Sequence, residues 1–188
     1  MQAFNPLSSS FDVTAVLHFP VREQASCHFI SNYVLIPRQG CTRGYMEYIL
    51  PLLNSEGDAP HFRQAFDACA YASLGNRVGP GNDLESKALG AYTKALSLTF
   101  SALKDPNLMK QDSTLASILL LGLFENITAK QIGMLAWGSH IEGAIQLVKA
   151  RGRKQLRTKS GLLLFIAVRT QMVGSRRKDT PVITKMKV

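Results

Sequence analysis

The sequence predicts an all-α fold: antiparallel helical hairpins packed as a bundle or a short solenoid. Three observations carry that expectation. Apolar residues recur at three- and four-residue steps through much of the chain. No stretch alternates with a period of two between turn signals. Helices of about 14 to 22 residues are separated by loops of about 5 to 10, the arrangement of neighbours packed as antiparallel hairpins. No fixed repeat period is visible, which weighs against the repeat-protein version. With 188 residues the chain can bury one sizeable core, and 46% hydrophobic against 19% charged residues describes a globular chain.

Residues 1–21 mix Ser8, Ser9, Ser10, Pro6 and Pro20 with scattered apolar residues and read as irregular. A first helix is expected from Arg22 to about Val34, closed by Pro37 and Gly40. A short one follows from Gly44 to Leu53, with Pro51 expected to cut or kink it. After a loop from Asn54 to Pro60, the residues Phe62, Ala65, Phe66, Cys69 and Leu74 share one helical face, and the glycines at 75, 79 and 81 end that helix. Asn82 with Glu85 has the spacing of a capping box. The helix it opens carries Ala88, Tyr92, Ala95, Leu96, Thr99 and Leu103 on one stripe and stops at Pro106.

Asp112 is a good N-cap for a helix from Ser113 to about Ile127. Its Leu115, Ile118, Leu119, Leu120, Leu121, Leu123 and Phe124 cover more than one face, so it is expected at the centre of the core. Trp137, Ile141, Ala144, Ile145 and Val148 mark the next helix, closing at Arg151 and Gly152. A last apolar helix is expected from about Thr158 to Val173. The chain thus divides into an irregular segment 1–21, a helical domain 22–173 and a basic tail 174–188 expected to lack fixed structure.

Charge is unevenly placed. Residues 149–188 hold 12 basic and 1 acidic residue, a balance of +11, whereas residues 1–148 hold 10 and 12, a balance of −2. Such a cationic end suits nucleic acid, an acidic protein or a nuclear import receptor, and equally a solvated tail without a fixed partner. Arg151, Arg153, Lys154, Arg157 and Lys159 form a candidate patch for phosphates or an acidic partner. Arg176, Arg177 and Lys178 form a candidate nuclear-import run.

Little else carries chemistry. Cys27, Cys41 and Cys69 are isolated, which excludes a secreted disulfide scaffold. The first basic residue is Arg22, so the start lacks the flank of a signal peptide, and no apolar run approaches the roughly 20 residues that span a bilayer. The expectation is a soluble intracellular protein that contacts no membrane, on which the sequon Asn126-Ile127-Thr128 stays idle. None of His18, His28, His61 and His140 has the spacing of a metal site, and adjacent Cys27 and His28 point in different directions on a helix. Ser139, His140 and Glu142 have the residue types of a hydrolytic triad, but consecutive helical positions cannot aim at one atom. Gly75, Gly79 and Gly81 lack the Gly-Lys-Ser/Thr of a phosphate loop and read as punctuation, while Asp83 and Glu85 offset a helix dipole. No catalytic residue, metal or cofactor is expected, and the chain reads as a non-enzyme.

Several segments in order carry a resemblance. They are Phe66-Asp67-Ala68-Cys69-Ala70-Tyr71-Ala72-Ser73-Leu74-Gly75-Asn76-Arg77, then Ala91-Tyr92-Thr93-Lys94-Ala95-Leu96, then the run from Asp112 to Glu125, then Trp137-Gly138-Ser139-His140-Ile141-Glu142-Gly143-Ala144, then Phe165-Ile166-Ala167-Val168-Arg169. Together with Phe29-Ile30-Ser31-Asn32-Tyr33 and Gly44-Tyr45-Met46-Glu47-Tyr48 upstream, they resemble the regulatory domain of fungal zinc binuclear cluster transcription factors over about residues 22–173.

The resemblance implies an all-helical nuclear module that controls a DNA-reading zinc cluster, often over secondary-metabolite or nutrient-use genes. The family's cluster uses six closely spaced cysteines, and three isolated ones stand here, so sequence-specific DNA binding is not expected of this chain. The family domain also runs beyond the equivalent of Val173, so the chain is expected to be truncated relative to it. The reading is a transcription-factor-like regulator acting through a protein partner, either a full-length relative or the transcription machinery. Its rivals are a helical interaction scaffold, an inactive fragment and a small-molecule-binding accessory protein.

Overall fold

A computed structural model describes residues 19–34, 46–55, 59–128 and 133–178, with side chains omitted for 133–137 and 173–178. The described residues form α-helices and two 3₁₀ turns, with no strand among them, so the fold is all-α. The helices are α1 (Val21–Tyr33), α2 (Ile49–Ser55), α3 (Pro60–Val78), α4 (Leu84–Lys104), α5 (Asp112–Thr128), α6 (Gly133–Arg151) and α7 (Lys159–Lys178). One 3₁₀ turn, Leu108–Lys110, precedes α5, and another, Gly152–Arg157, joins α6 to α7.

Hydrogen bonds between helices set their directions. Cys69 donates its thiol proton to the Leu120 carbonyl at 3.1 Å, and the Asn76 side chain donates to the Ile127 carbonyl at 3.0 Å, so α3 and α5 run parallel. Arg22 donates to Asp67 through Nε at 3.0 Å and Nη2 at 2.5 Å, and His28 meets Ser73 at 3.0 Å, which makes α1 parallel to α3. Successive helices reverse direction: Tyr92 of α4 stacks on Phe124 near the far end of α5, with ring centroids 4.3 Å apart. α1, α3 and α5 thus point one way and α4 the other, and the ion pair of Asp112 with Arg151 sets α6 antiparallel to α5.

α5 lies at the centre, touching α2, α3, α4, α6 and α7. Every residue from Ser113 to Phe124 is buried, as its all-round apolar pattern requires. Each fully buried leucine there, such as Leu115 or Leu119, contributes about 2 kcal/mol through burial. His61 is buried against α5, where Thr114 Oγ1 already donates to the Leu108 carbonyl at 2.7 Å; His61 Nε2 therefore carries the proton it shares with Thr114 at 3.2 Å.

Several expected boundaries moved for physical reasons. α2 begins at Ile49 and places Pro51 in its first turn, where a missing N–H costs nothing, so the proline neither cuts nor kinks it. α3 continues through Gly75 to Val78, because only Gly79 and Gly81, with φ of 88° and 96°, take the left-handed conformation that turns the chain. Asn82 does not cap α4 directly: it stands one residue before the cap, and its Oδ1 accepts the Leu84 N–H at 2.9 Å in an Asx turn. α7 extends five residues past Val173, to Lys178.

The buried stripe of α4 also differs. It is Leu84, Ala88, Ala91, Ala95, Thr99 and Ala102, whereas Leu103 is 36% exposed and Tyr92 and Leu96 are half-buried. Alanines let the helix axes approach, and the α3–α4 pair is the most extensive helix contact in the fold. His18, Cys41, Pro37 and Gly40, on which some expectations rested, lie outside the described residues.

Candidate functional site

The basic candidate patch surrounds the 3₁₀ turn Gly152–Arg157. Gly152, with φ of 64°, ends α6 in the left-handed conformation that glycine adopts without strain. Gln155 is buried and pins the turn from inside, its Nε2 donating to the Val148 and Gly152 carbonyls, each at 2.8 Å. Thr158 Oγ1 accepts the Gly161 N–H at 3.1 Å and so caps α7.

This framework brings Arg153, Lys154, Arg157 and Lys159 together as exposed cations within seven residues of chain. None of the four forms an ion pair among the described residues, so each is open to an anionic ligand. Arg151 is different. Its side chain is 6% exposed and its Nη2 pairs with Asp112 at the start of α5, so it holds the α5–α6 hairpin shut and does not reach the patch. Arg176, Arg177 and Lys178 lie on the last turn of α7, and their side chains are outside the described residues.

Elsewhere the polar groups serve the fold. Asp67 is buried between Arg22 and Arg63, and its hydrogen bond raises the Arg22 guanidinium above its ordinary range. Tyr92 donates its hydroxyl proton to Glu125 Oε1; burial first, then that hydrogen bond and the Glu125 charge, push its phenol well above the ordinary range. Burial lowers His140, and Glu125 partly opposes that shift. Burial also pushes the Cys69 thiol far up, which leaves it protonated and unreactive. Arg63 and Asp67 stand four residues apart on α3, a spacing visible in the sequence, whereas Arg22 with Asp67 and Tyr92 with Glu125 join helices distant in sequence. Among the described residues, no group of three His, Cys, Asp or Glu is placed to hold a metal, and no helix is long and apolar enough to cross a membrane. An open groove on α4 is lined by Ser86, Leu89, Gly90, Thr93, Lys94 and Ser97, remote from the leucine-rich interior of α5.

The sequence profile of the fungal-specific transcription factor domain matches residues 26–172. The chain belongs to that family. The matched span runs from within α1 to within α7 and includes the whole basic turn, while Arg176, Arg177 and Lys178 fall beyond it. This fungal-specific transcription factor domain is a regulatory module and not an enzyme class, and a transcription-regulator-like role follows at that level. No curated protein and no solved structure matched the chain in the corresponding searches.

Proposed function

We propose that this fungal-specific transcription factor domain is a non-enzymatic regulator in the nucleus that acts through a protein partner and not by reading DNA itself. The observation that carries the reading is the family match over the packed helices α2 to α6, joined to a turn whose exposed cations have no counter-charge among the described residues. An acidic surface of a full-length relative or of the transcription machinery is the partner such a turn favours. Arg176, Arg177 and Lys178 supply the import signal, and the likeness to zinc binuclear cluster regulators supports control of a secondary-metabolite gene cluster.

The test tethers the full chain to an unrelated DNA-binding module upstream of a reporter in a fungal host. A change in reporter transcription of several-fold, abolished when Arg153, Lys154, Arg157 and Lys159 are all changed to Glu, is the expected result. A reporter indifferent to the tethered chain overturns the regulatory reading. Retained activity in the four-site variant overturns the role of the basic turn alone.

A further inference from the structure

We propose that the outward face of α7, together with the basic turn before it, docks a short amphipathic helix of a partner protein in which acidic residues flank apolar ones. This surface extends the basic turn of the regulatory reading above and rests on that reading.

α7 turns two kinds of side chain to solvent. Leu162 and Ile166 are 44% and 43% exposed, and the exposed cations Lys159 and Arg169 stand three residues before the first and three after the second. Steps of three, four and three put all four on one stripe, with the apolar pair in the middle and a cation at each end. The Arg169 guanidinium lies 5.9 Å from the centroid of the Phe165 ring, a contact that holds this cation along the helix. Leu156, 40% exposed, adds an apolar group on the turn that leads into α7.

The charge of this surface names the partner. Residues 149–172 hold seven basic residues and no acidic one, and all of the seven but Arg151 are exposed. Acids where α4 ends and α5 begins are already engaged: Asp112 holds Arg151, and Asp105, between Lys104 and Lys110 in sequence, accepts the N–H groups of Asn107 and Leu108. Glu142 stands seven residues before Lys149 on α6, about two turns away, and accepts the Gln146 amide. α7 opens on Lys159 with no acid in its first turn, so its dipole also favours an incoming carboxylate. Lys159 and Arg169 are about 15 Å apart along the helix axis. Partner acids about three turns apart therefore meet both cations, while apolar side chains between those acids cover Leu162 and Ile166. A nucleic-acid backbone would leave that apolar pair in water, and a membrane surface would find no exposed aromatic ring among residues 149–172 to insert. An acidic amphipathic helix satisfies the cations and the apolar pair together.

Fluorescence anisotropy of the full chain tests this with a labelled helical peptide of about 15 residues, in which two leucines four residues apart lie between aspartates at either end. The peptide is expected to bind with a Kd below about 100 µM, and weaker binding overturns the proposal. Replacing its leucines by serine weakens binding at least about tenfold. Leu162→Gln with Ile166→Gln, which leaves the charge and the helicity by circular dichroism unchanged, does the same. Lys159→Glu with Arg169→Glu abolishes binding of this peptide and creates binding of one with lysines in place of the aspartates. Equal binding of the leucine and serine peptides, or a chain indifferent to the paired Gln changes, overturns the docking face and leaves the basic turn by itself. Vesicles of phosphatidylserine that hold the chain through Leu162 and Ile166, when the peptide does not, overturn the proposal in favour of a lipid surface. A chain that binds the peptide but leaves the tethered reporter unmoved supports the docking face and overturns the regulatory reading instead.

Discussion

Asp112 opens α5 and Arg151 closes α6, and the two side chains meet in an ion pair with the arginine 6% and the aspartate 14% exposed. The pair joins the start of one helix to the end of the next, where each charge also offsets its own helix dipole. Removing one member leaves the other buried without a counter-charge. Arg151→Met is therefore expected to destabilise the chain by about 3 to 5 kcal/mol in urea unfolding. The double change Arg151→Met with Asp112→Leu should recover much of that loss. A single variant as stable as the parent would show that the pair does not hold the hairpin.

Gly161 allows a close approach. A Cβ there would stand 2.1 Å from the Gln155 carbonyl oxygen, in the turn that presents the exposed cations. Gly161→Ala should destabilise by about 1 to 3 kcal/mol, the range for overpacking a tight contact. Gly143→Ala, on α6 with nothing within 4 Å, should instead stabilise by up to about 1 kcal/mol through helix propensity. Thermal unfolding of the two variants side by side checks the difference in sign.

The thiols should differ in reactivity. Cys27 is exposed on α1, whereas Cys69 is buried and donates to the Leu120 carbonyl. A maleimide followed by peptide mass analysis should label Cys27 in the native chain and Cys69 only after unfolding. Equal labelling at both positions would place α3 outside the core.

His140 makes stability depend on pH in a defined direction. Burial lowers its folded value below the ordinary 6.5, so the unfolded chain binds more protons through this group. Its contribution is complete above about 6.5 and is lost as pH falls from there through the lower folded value. His140→Gln should flatten the stability profile between about pH 7 and pH 5. A profile with unchanged slope would show that this imidazole does not titrate with unfolding.

If the exposed turn binds phosphates non-specifically, affinity for a random duplex should fall steeply between low and high salt, by a factor that grows with the number of cations engaged. The four-site Glu variant should lose that dependence in a filter-binding assay. Flat affinity across salt would rule out phosphate as the ligand of the turn and leave an acidic protein as the better candidate.

Much of the architecture was readable from residue order, because helical periodicity is local. The all-round apolar pattern from Leu115 to Phe124 marks a helix surrounded by others, and α5 is that helix. The boundaries at Gly152 and Asp112 follow from backbone freedom and capping chemistry that act within a few residues. On α4 periodicity locates an apolar face without choosing between Leu103, which is exposed, and Ala102, which is buried. Beside Leu84 and Thr99 the buried positions are alanines, whose small side chains let α3 and α4 approach.

Sequence alone thus determined the helical class, the order of elements, the central helix and the cationic end of the chain, since each depends on residues near one another. Only the tertiary structure decided that Arg151 is withdrawn into a pair with Asp112, while Arg153, Lys154, Arg157 and Lys159 stay in solvent. The five cations look alike along the chain. They differ in the helix each faces, and that is set by packing between residues 39 positions apart, which no local pattern encodes.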